Sequence, residues 1–416
     1  MPQNKRGQRG PTVLHVSQPS DGGVARVVTD LVRHQTEAGM RVYVACPPGG
    51  VLTEAATEAG AHVLLWHADR QPGLLLPQEI SGVRRLVRRF GPDLVHAHSA
   101  KAGLAVRLAL RGRTPTVFQP HAWSFDAVDG PAARLALRWE RHATRWAHRV
   151  LCVSEDERQR GQLAGVDGPW AVVRNGIDTE RYRPADEVAR ERARARLAAL
   201  HGVPVDAPLA VCVGRLCRQK GQDLLLRAWP AVTEAVPDAR LVLVGEGPQR
   251  DTLRDEAPEH VVFAGESPDP VLWYTAADLV VLPSRWEGMA LVPLEAMASG
   301  RPVVVTDVTG ARESLPVDHI PDCLVPPEDP GALARAVSTL LDDPGLRGVL
   351  GFQGRHHIRA RYDVRRTADE VARLYDELLS GEPVEDAAPR QAVVPGAARV
   401  PADRSALADR REHVGR

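Results

Sequence analysis

Glu287 and Glu295 are separated by the seven residues Gly288-Met289-Ala290-Leu291-Val292-Pro293-Leu294, just after the apolar run Ala277-Asp278-Leu279-Val280-Val281-Leu282-Pro283-Ser284. That spacing places one carboxylate on the loop leaving a strand and the other about two helical turns further on, so both can face one ligand. A helix that merely carries an acid at each end has the same spacing, and the choice depends on what else converges there. Upstream, Gly214-Arg215-Leu216-Cys217-Arg218-Gln219-Lys220-Gly221 lies between a strand-like run and a helix beginning near Gln222. Arg215, through its planar fork, and Lys220, as a point charge, are suited to neutralise a diphosphate. A solvated basic loop is the alternative. Gly245-Glu246-Gly247-Pro248 and Ser284-Arg285-Trp286-Glu287 also fall at strand ends, and that coincidence favours a site.

The first part of the chain has a similar set. Asp21-Gly22-Gly23 opens a helix with the apolar stripe Val24, Val27, Val28, Leu31 and Val32. Paired glycines admit close backbone approach, and a helix amino terminus favours an anion or a polar sugar group; a plain tight turn is the competing reading. His98-Ser99-Ala100-Lys101 follows a fourth strand-like run, His121 a fifth and Ser154-Glu155 a sixth, so polar groups gather on one edge. One histidine among 15 carries little by itself. The position of His121 after Thr116-Val117-Phe118-Gln119-Pro120 is what singles it out.

The elements that must hold these residues are short β-rich runs alternating with helix-period segments from Val13 to about Leu379, the pattern of parallel sheets. The first set of strands reads 13–16, 42–45, 63–66, 94–97, 116–118 and 150–153; the second reads 209–213, 241–244, 261–263, 279–282 and 303–305. Two doubly wound domains explain this better than one sheet of eleven or more strands. In such sheets ligands bind beyond the carboxyl ends of the strands, which is where the chemistry-bearing residues fall. The expected organisation is a disordered amino terminus over 1–11, a first Rossmann-like domain over 12–185, a second over 186–380, and a Pro/Ala/Arg/Asp-rich disordered tail over 381–416. The last helical segments, up to Leu379, are expected to pack back on the first domain.

Bulk properties exclude little but agree. A chain of 416 residues with 44% hydrophobic content can build two cores. With 53 basic and 53 acidic residues, no global field draws it to nucleic acid or membrane. The cysteines Cys46, Cys152, Cys212, Cys217 and Cys323 show no CxxC pair and no zinc spacing, so reduced thiols are expected. No apolar run reaches the length of a signal core or a membrane span, so the expectation is a cytoplasmic protein.

Taken in order, Gly22-Gly23, Asn175-Gly176-Ile177-Asp178, Val213-Gly214-Arg215-Leu216 with Lys220-Gly221, Val244-Gly245-Glu246-Gly247-Pro248, and Glu287 with Glu295 at EX7E spacing resemble a retaining glycosyltransferase of family 4 with the GT-B fold. The resemblance covers roughly residues 12 to 380. It implies two Rossmann-like doubly wound domains facing a central cleft, a nucleotide diphosphate sugar as co-substrate, linked to UDP or GDP, and no cofactor or metal. It implies that Arg215 and Lys220 hold the donor diphosphate, Glu295 the ribose hydroxyls and Glu287 the sugar hydroxyls. Gly22 and Glu246 join the donor set, backbone amides near Met289, Ala290 and Leu291 help bind it, and Gly23 lies against the distal phosphate. His121 matches the histidine that contacts the transferred sugar. The catalytic set is then His121, Glu287, Arg215 and Lys220. The chain departs from the frequent pattern in having Ala290, where many relatives have glycine, and Ala122 after His121.

The acceptor side reads less sharply. His96-Ala97-His98-Ser99-Ala100-Lys101-Ala102-Gly103 resembles a stretch of relatives that build bacterial surface polysaccharides, which implies a glycan or lipid-linked sugar acceptor near His98, Ser99 and Lys101. Arg134, Arg138, Arg141 and Arg145 form a basic stripe on a predicted helix within 131–148, with Leu135, Trp139 and Trp146 on an adjoining face. Such a helix suits anionic headgroups at the inner face of the plasma membrane, each cation contributing about 1 kcal/mol; a solvated face beside a core stripe is the alternative. The rival functions are a nucleotide-sugar epimerase of the same architecture and a non-catalytic sugar-nucleotide sensor.

Overall fold

The structure, a computed structural model, describes residues 10–267 and 269–381. Of the tails expected over 1–11 and 381–416, residues 1–9 and 382–416 lie outside the described residues. The first sheet contains β1 (Thr12–Ser17), β2 (Arg41–Cys46), β3 (His62–Leu65), β4 (Leu94–His98), β5 (Thr116–Gln119), β6 (Arg149–Cys152) and β7 (Trp170–Val172). The second contains β8 (Leu209–Val213), β9 (Arg240–Val244), β10 (Val261–Gly265), β11 (Leu279–Leu282), β12 (Val303–Thr306) and β13 (Leu324–Val325). Strands such as β5, β6, β11 and β12 are buried at every residue, because helices cover both faces of a parallel sheet.

Neighbouring strands are parallel throughout, in the orders β3-β2-β1-β4-β5-β6-β7 and β10-β9-β8-β11-β12-β13. The strand order of each sheet reverses once, between β1 and β4 and between β8 and β11. Crevices open at such switch points beyond the carboxyl ends of the strands. The segments issuing there are Asp21-Gly22-Gly23 and His98-Ser99 in the first sheet, and Gly214–Gly221 and Ser284–Leu291 in the second. The two doubly wound parallel sheets are therefore as the sequence pattern implied. β7 and β13 were not read from it: runs of three and two residues are too short to show periodicity.

A continuous buried cluster runs from Val13, Leu94 and Leu151 through Ile177 and Tyr182 to Val211, Val242 and Val281. After the second sheet, Ile177 and Val364 exchange backbone hydrogen bonds with the opposing segment: Ile177 donates to Tyr362 at 2.9 Å and Val364 donates to Ile177 at 3.0 Å. A side chain at Gly176 would lie 2.8 Å from the Val364 Cα, so glycine is required for this approach. The helix Val364–Ser380 then packs on the helix Gly22–Glu37 with its Tyr375 fully buried. All five cysteines are free and buried. Among the described residues no helix is long and apolar enough to cross a membrane.

Candidate active site

In the second sheet the site is built from two stacked loops. Gly214 donates to Val244 at 2.9 Å and Leu216 to Glu246 at 2.9 Å. A Cβ at Gly245 would lie 2.1 Å from the Gly214 carbonyl oxygen, which excludes any side chain there. Lys220 closes a short 3-10 turn, and its Nζ lies 2.5 Å from Glu287 Oε1, with both side chains mostly buried. Ser284 Oγ donates to the same oxygen at 2.7 Å. Arg215 reaches only Cys217 Sγ, at 3.6 Å, and makes no ion pair among the described residues, so its guanidinium is available to an anion. Glu246 lies 3.1 Å from Arg250, in the short helix that follows.

The two glutamates are held differently from each other. The helix bearing Glu295 is Leu291–Ala298, so Glu287 and Glu295 are joined by an extended loop and about one turn, a correction to the two turns expected. The cause is Ala290, whose extended backbone (φ −70°, ψ 140°) delays the helix. Any residue adopts that conformation, so the methyl group imposes no strain. No side chain caps this helix, which leaves its first amides open to an anion. Glu287 faces Lys220, whereas Glu295 is 3% exposed and accepts from Arg26 on one oxygen and from Tyr274 Oη at 2.7 Å on the other. Arg26 also contacts the Tyr182 hydroxyl. Burial, followed by the adjacent Glu295 charge, pushes both the Tyr274 and Tyr182 phenols up. Arg26, Tyr182 and Tyr274 had no signal in the sequence, since each lies in an ordinary helical or loop stretch.

The first sheet meets this loop directly. A Cβ at Gly23 would be 3.8 Å from Leu291 Cδ1, an ordinary contact, while Gly22 has φ +72° and uses its freedom there. A Cβ at Gly288 would be 2.8 Å from the His121 carbonyl carbon, so glycine lets the two backbones touch. Ser154 Oγ donates to the Gly288 carbonyl at 2.8 Å, and Asn175 Nδ2 donates to the Met289 carbonyl at 2.8 Å. Met289 and Leu291 are buried, so what they present at this edge is backbone. The structure thus brings together Gly23, His121, Lys220, Glu287 and Leu291.

The acceptor-side residues divide. His98 closes β4 and is fully buried, with Nδ1 3.1 Å from His121 Nε2. Burial pushes the His121 imidazole down to about 3 and the His15 imidazole down to about 4, and it holds His96 and His98 well below the usual range. All four are therefore neutral at pH 7. Ser99 donates to the Gln18 carbonyl. Lys101 corrects the expectation that it faces an acceptor: it is 4% exposed, pairs with Glu79 at 2.7 Å and donates to the Gln71 carbonyl at 2.9 Å. A buried ammonium needs its carboxylate, which fixes it inside the fold.

One ring nitrogen from each of His15, His96 and His98 lies within 4.8 Å of the others, the ligand content of a metal site. His15 Nδ1 and His98 Nε2, however, stand 2.9 Å apart as a hydrogen-bonded pair.

The basic stripe lies on the helix Gly130–Ala143 and the turn after it. Arg134 and Arg138 are exposed without an ion pair among the described residues, beside Leu135 at 70% exposure. Arg141 is spent on the Ala164 carbonyl at 2.8 Å, and Arg145 stacks on Trp146. The buried pair Arg107–Glu140, at 2.8 Å, ties this helix to the rest of the first sheet's layer.

Comparison with known proteins places this geometry in context. Residues 21–181 match the model of Glycosyltransferase Family 4, and residues 207–343 that of Glycosyl transferases group 1. A GDP-mannose-dependent alpha-(1-6)-phosphatidylinositol monomannoside mannosyltransferase of Mycolicibacterium smegmatis is 34% identical over 350 residues, covering 79% of this chain and 86% of that protein. A GDP-mannose-dependent monoacylated alpha-(1-6)-phosphatidylinositol monomannoside mannosyltransferase of Corynebacterium glutamicum is 34% identical over 366 residues, covering 83% and 91%. Among solved structures, Anabaena HepE in complex with UDP and glucose superposes with a TM-score of 0.76 at 22% identity, covering 88% of this chain and all of that one.

Proposed function

The chain belongs to glycosyltransferase family 4, with the GT-B fold, and from that premise we propose that it transfers a hexose, with retention, from a nucleoside diphosphate sugar to a lipid-linked glycan. The observation that carries the reading is the Lys220–Glu287 pair at the carboxyl ends of β8 and β11, beside the uncapped helix Leu291–Ala298. Cations and helix amides fixed there stabilise the charge that builds on a departing diphosphate. Arg215 and Lys220 take the diphosphate and Glu287 the sugar hydroxyls, while Glu295 takes the ribose hydroxyls only when Arg26, which holds one of its oxygens in this structure, gives way. Gly22-Gly23 admits the distal phosphate, and the amides near Met289, Ala290 and Leu291 complete the donor site with Glu246 at its edge. No step of this scheme uses a metal.

His121, neutral at pH 7, contacts the transferred sugar as a hydrogen-bonding group and not as a charged acid. Attack from the face the leaving group departs retains configuration without a protein nucleophile, and apposition of the two domains excludes competing water. GDP-mannose is the first donor to test, because two relatives at 34% identity carry it in their names. Their phosphatidylinositol-based acceptors support a lipid-linked acceptor here, met at the cytoplasmic face of a membrane by Arg134, Arg138 and the exposed Leu135. Incubation with GDP- and UDP-sugars, with and without phosphatidylinositol mannosides, tests the reading. Nucleoside diphosphate release that requires acceptor is expected; donor binding without turnover under every acceptor would overturn it. Flotation with anionic vesicles tests the surface, and an Arg134/Arg138 alanine variant that binds as well as wild type would remove these residues from it.

A further inference from the structure

Four side chains, from one helix, two strands and the loop after β5, form a hydrogen-bonded line from the core to the candidate active site. Gln35 Oε1, on the helix Gly22–Glu37, lies 2.8 Å from His15 Nε2 on β1. His15 Nδ1 lies 2.9 Å from His98 Nε2 on β4, and His98 Nδ1 lies 3.1 Å from His121 Nε2 beyond β5. Gln35, His15 and His98 are all buried, and β1 and β4 are adjacent strands in register, with His15 opposite His96 and Ser17 opposite His98.

A neutral imidazole carries one N–H and one lone pair. Each link in such a line therefore holds one proton, and the direction chosen at one end is imposed at the other. Gln35 supplies that end. Its carbonyl oxygen faces His15, and its Nε2 has no hydrogen-bond partner among the described residues; burial pushes the Tyr375 phenol up. Tyr375 Oη in turn lies 2.6 Å from His96 Nδ1. With the amide so oriented, His15 Nε2–H donates to Gln35, His98 Nε2–H donates to His15 Nδ1, and His121 Nε2–H donates to His98 Nδ1.

We infer that Gln35, acting through His15 and His98, fixes His121 in the Nε2–H tautomer and so presents its Nδ1 lone pair as a hydrogen-bond acceptor. Gln35, His15 and His98 are positioning residues; His121 alone meets the sugar, and that assignment rests on the transferase reading above. A sugar hydroxyl would then donate to His121 Nδ1. Burial keeps every ring in the line neutral at pH 7, the condition under which the parity argument holds.

The test is a long-range proton–nitrogen correlation spectrum of the full chain labelled with 15N-histidine, substrate-free at pH 7, with the His121 ring assigned through His121→Asn. The expected result is a protonated Nε2 and an unprotonated Nδ1 at His121. Gln35→Met, which removes the terminal acceptor, is expected to give mixed tautomers at His121 and about a fivefold fall in kcat/KM, the scale of one neutral hydrogen bond. A wild-type His121 protonated on Nδ1, or a folded Gln35→Met chain with the wild-type tautomer, overturns the inference. The wild-type spectrum decides even if Gln35→Met does not fold. If the tautomer is as expected but no donor is consumed, the transferase reading fails and the assignment of the line stands.

Discussion

Replacing Lys220 with methionine isolates the charge of one side chain at the proposed donor site. The stem keeps its length, and what is removed is the ammonium 2.5 Å from Glu287, in a pair whose side chains are 19% and 10% exposed. An ammonium about 4 Å from one unit of developing charge contributes about 4 kcal/mol at an effective dielectric of about 20. Residual exposure lowers that to about 3 kcal/mol, and only the charge gained on departure counts toward kcat. The expected result is a fall in kcat of about a hundredfold, in the range seen for loss of one preorganised donor. Donor affinity should change much less, because Arg215 and the helix amides remain. Lys220→Arg should recover part of the rate. The assay pairs single-turnover release of nucleoside diphosphate with calorimetric titration of the donor. A kcat within threefold of wild type, with the whole loss in donor affinity, would refute the reasoning and make Lys220 a ground-state contact.

Three further perturbations address other parts of the structure. Glu295 is buried against Arg26, so Arg26→Met should cost about 2 kcal/mol of stability, and a double-mutant cycle with Glu295→Gln should show coupling of about 1–2 kcal/mol; additive denaturation energies would contradict the pair. Glu157 is fully buried and pushed up to about 8 from 4.5. Between those pH values the native chain holds a proton the unfolded chain has released, so this group's contribution falls as pH rises, by up to roughly 1.4 kcal/mol per unit. Glu157→Gln should therefore gain stability relative to wild type from pH 5 to 8 in urea unfolding, and a pH-independent difference would count against that burial. Ala122 has φ +152°, next to His121 at +60°. Ala122→Gly should raise stability by about 1 kcal/mol, strain relief less added chain entropy, and a lower melting temperature would show that the alanine is relaxed.

Much of the donor side was legible because glycine and charge interrupt apolar runs at strand ends, and Gly214–Gly221, Gly245–Gly247 and Glu287 do so within a few residues of β8, β9 and β11. What escaped notice is tertiary. His15 reads as one polar residue inside Val13-Leu14-His15-Val16, and nothing local says that Gln35 and His98 will hold it. Arg26 and Tyr274 meet Glu295 across 269 and 21 residues of sequence. Lys101 misled for the related reason that a lysine at a helix start reads as exposed until its partner, Glu79, is known.

The central claim is retaining transfer from a nucleoside diphosphate sugar, and the configuration of the product tests it most directly. Supplied with GDP-mannose and a phosphatidylinositol mannoside, or with the donor and acceptor pair that the panel identifies, the enzyme should release nucleoside diphosphate only with acceptor present. Proton and carbon NMR of the early product should show the donor's own anomeric configuration. A product of inverted configuration, or conversion of the donor sugar in the absence of acceptor, would contradict the account.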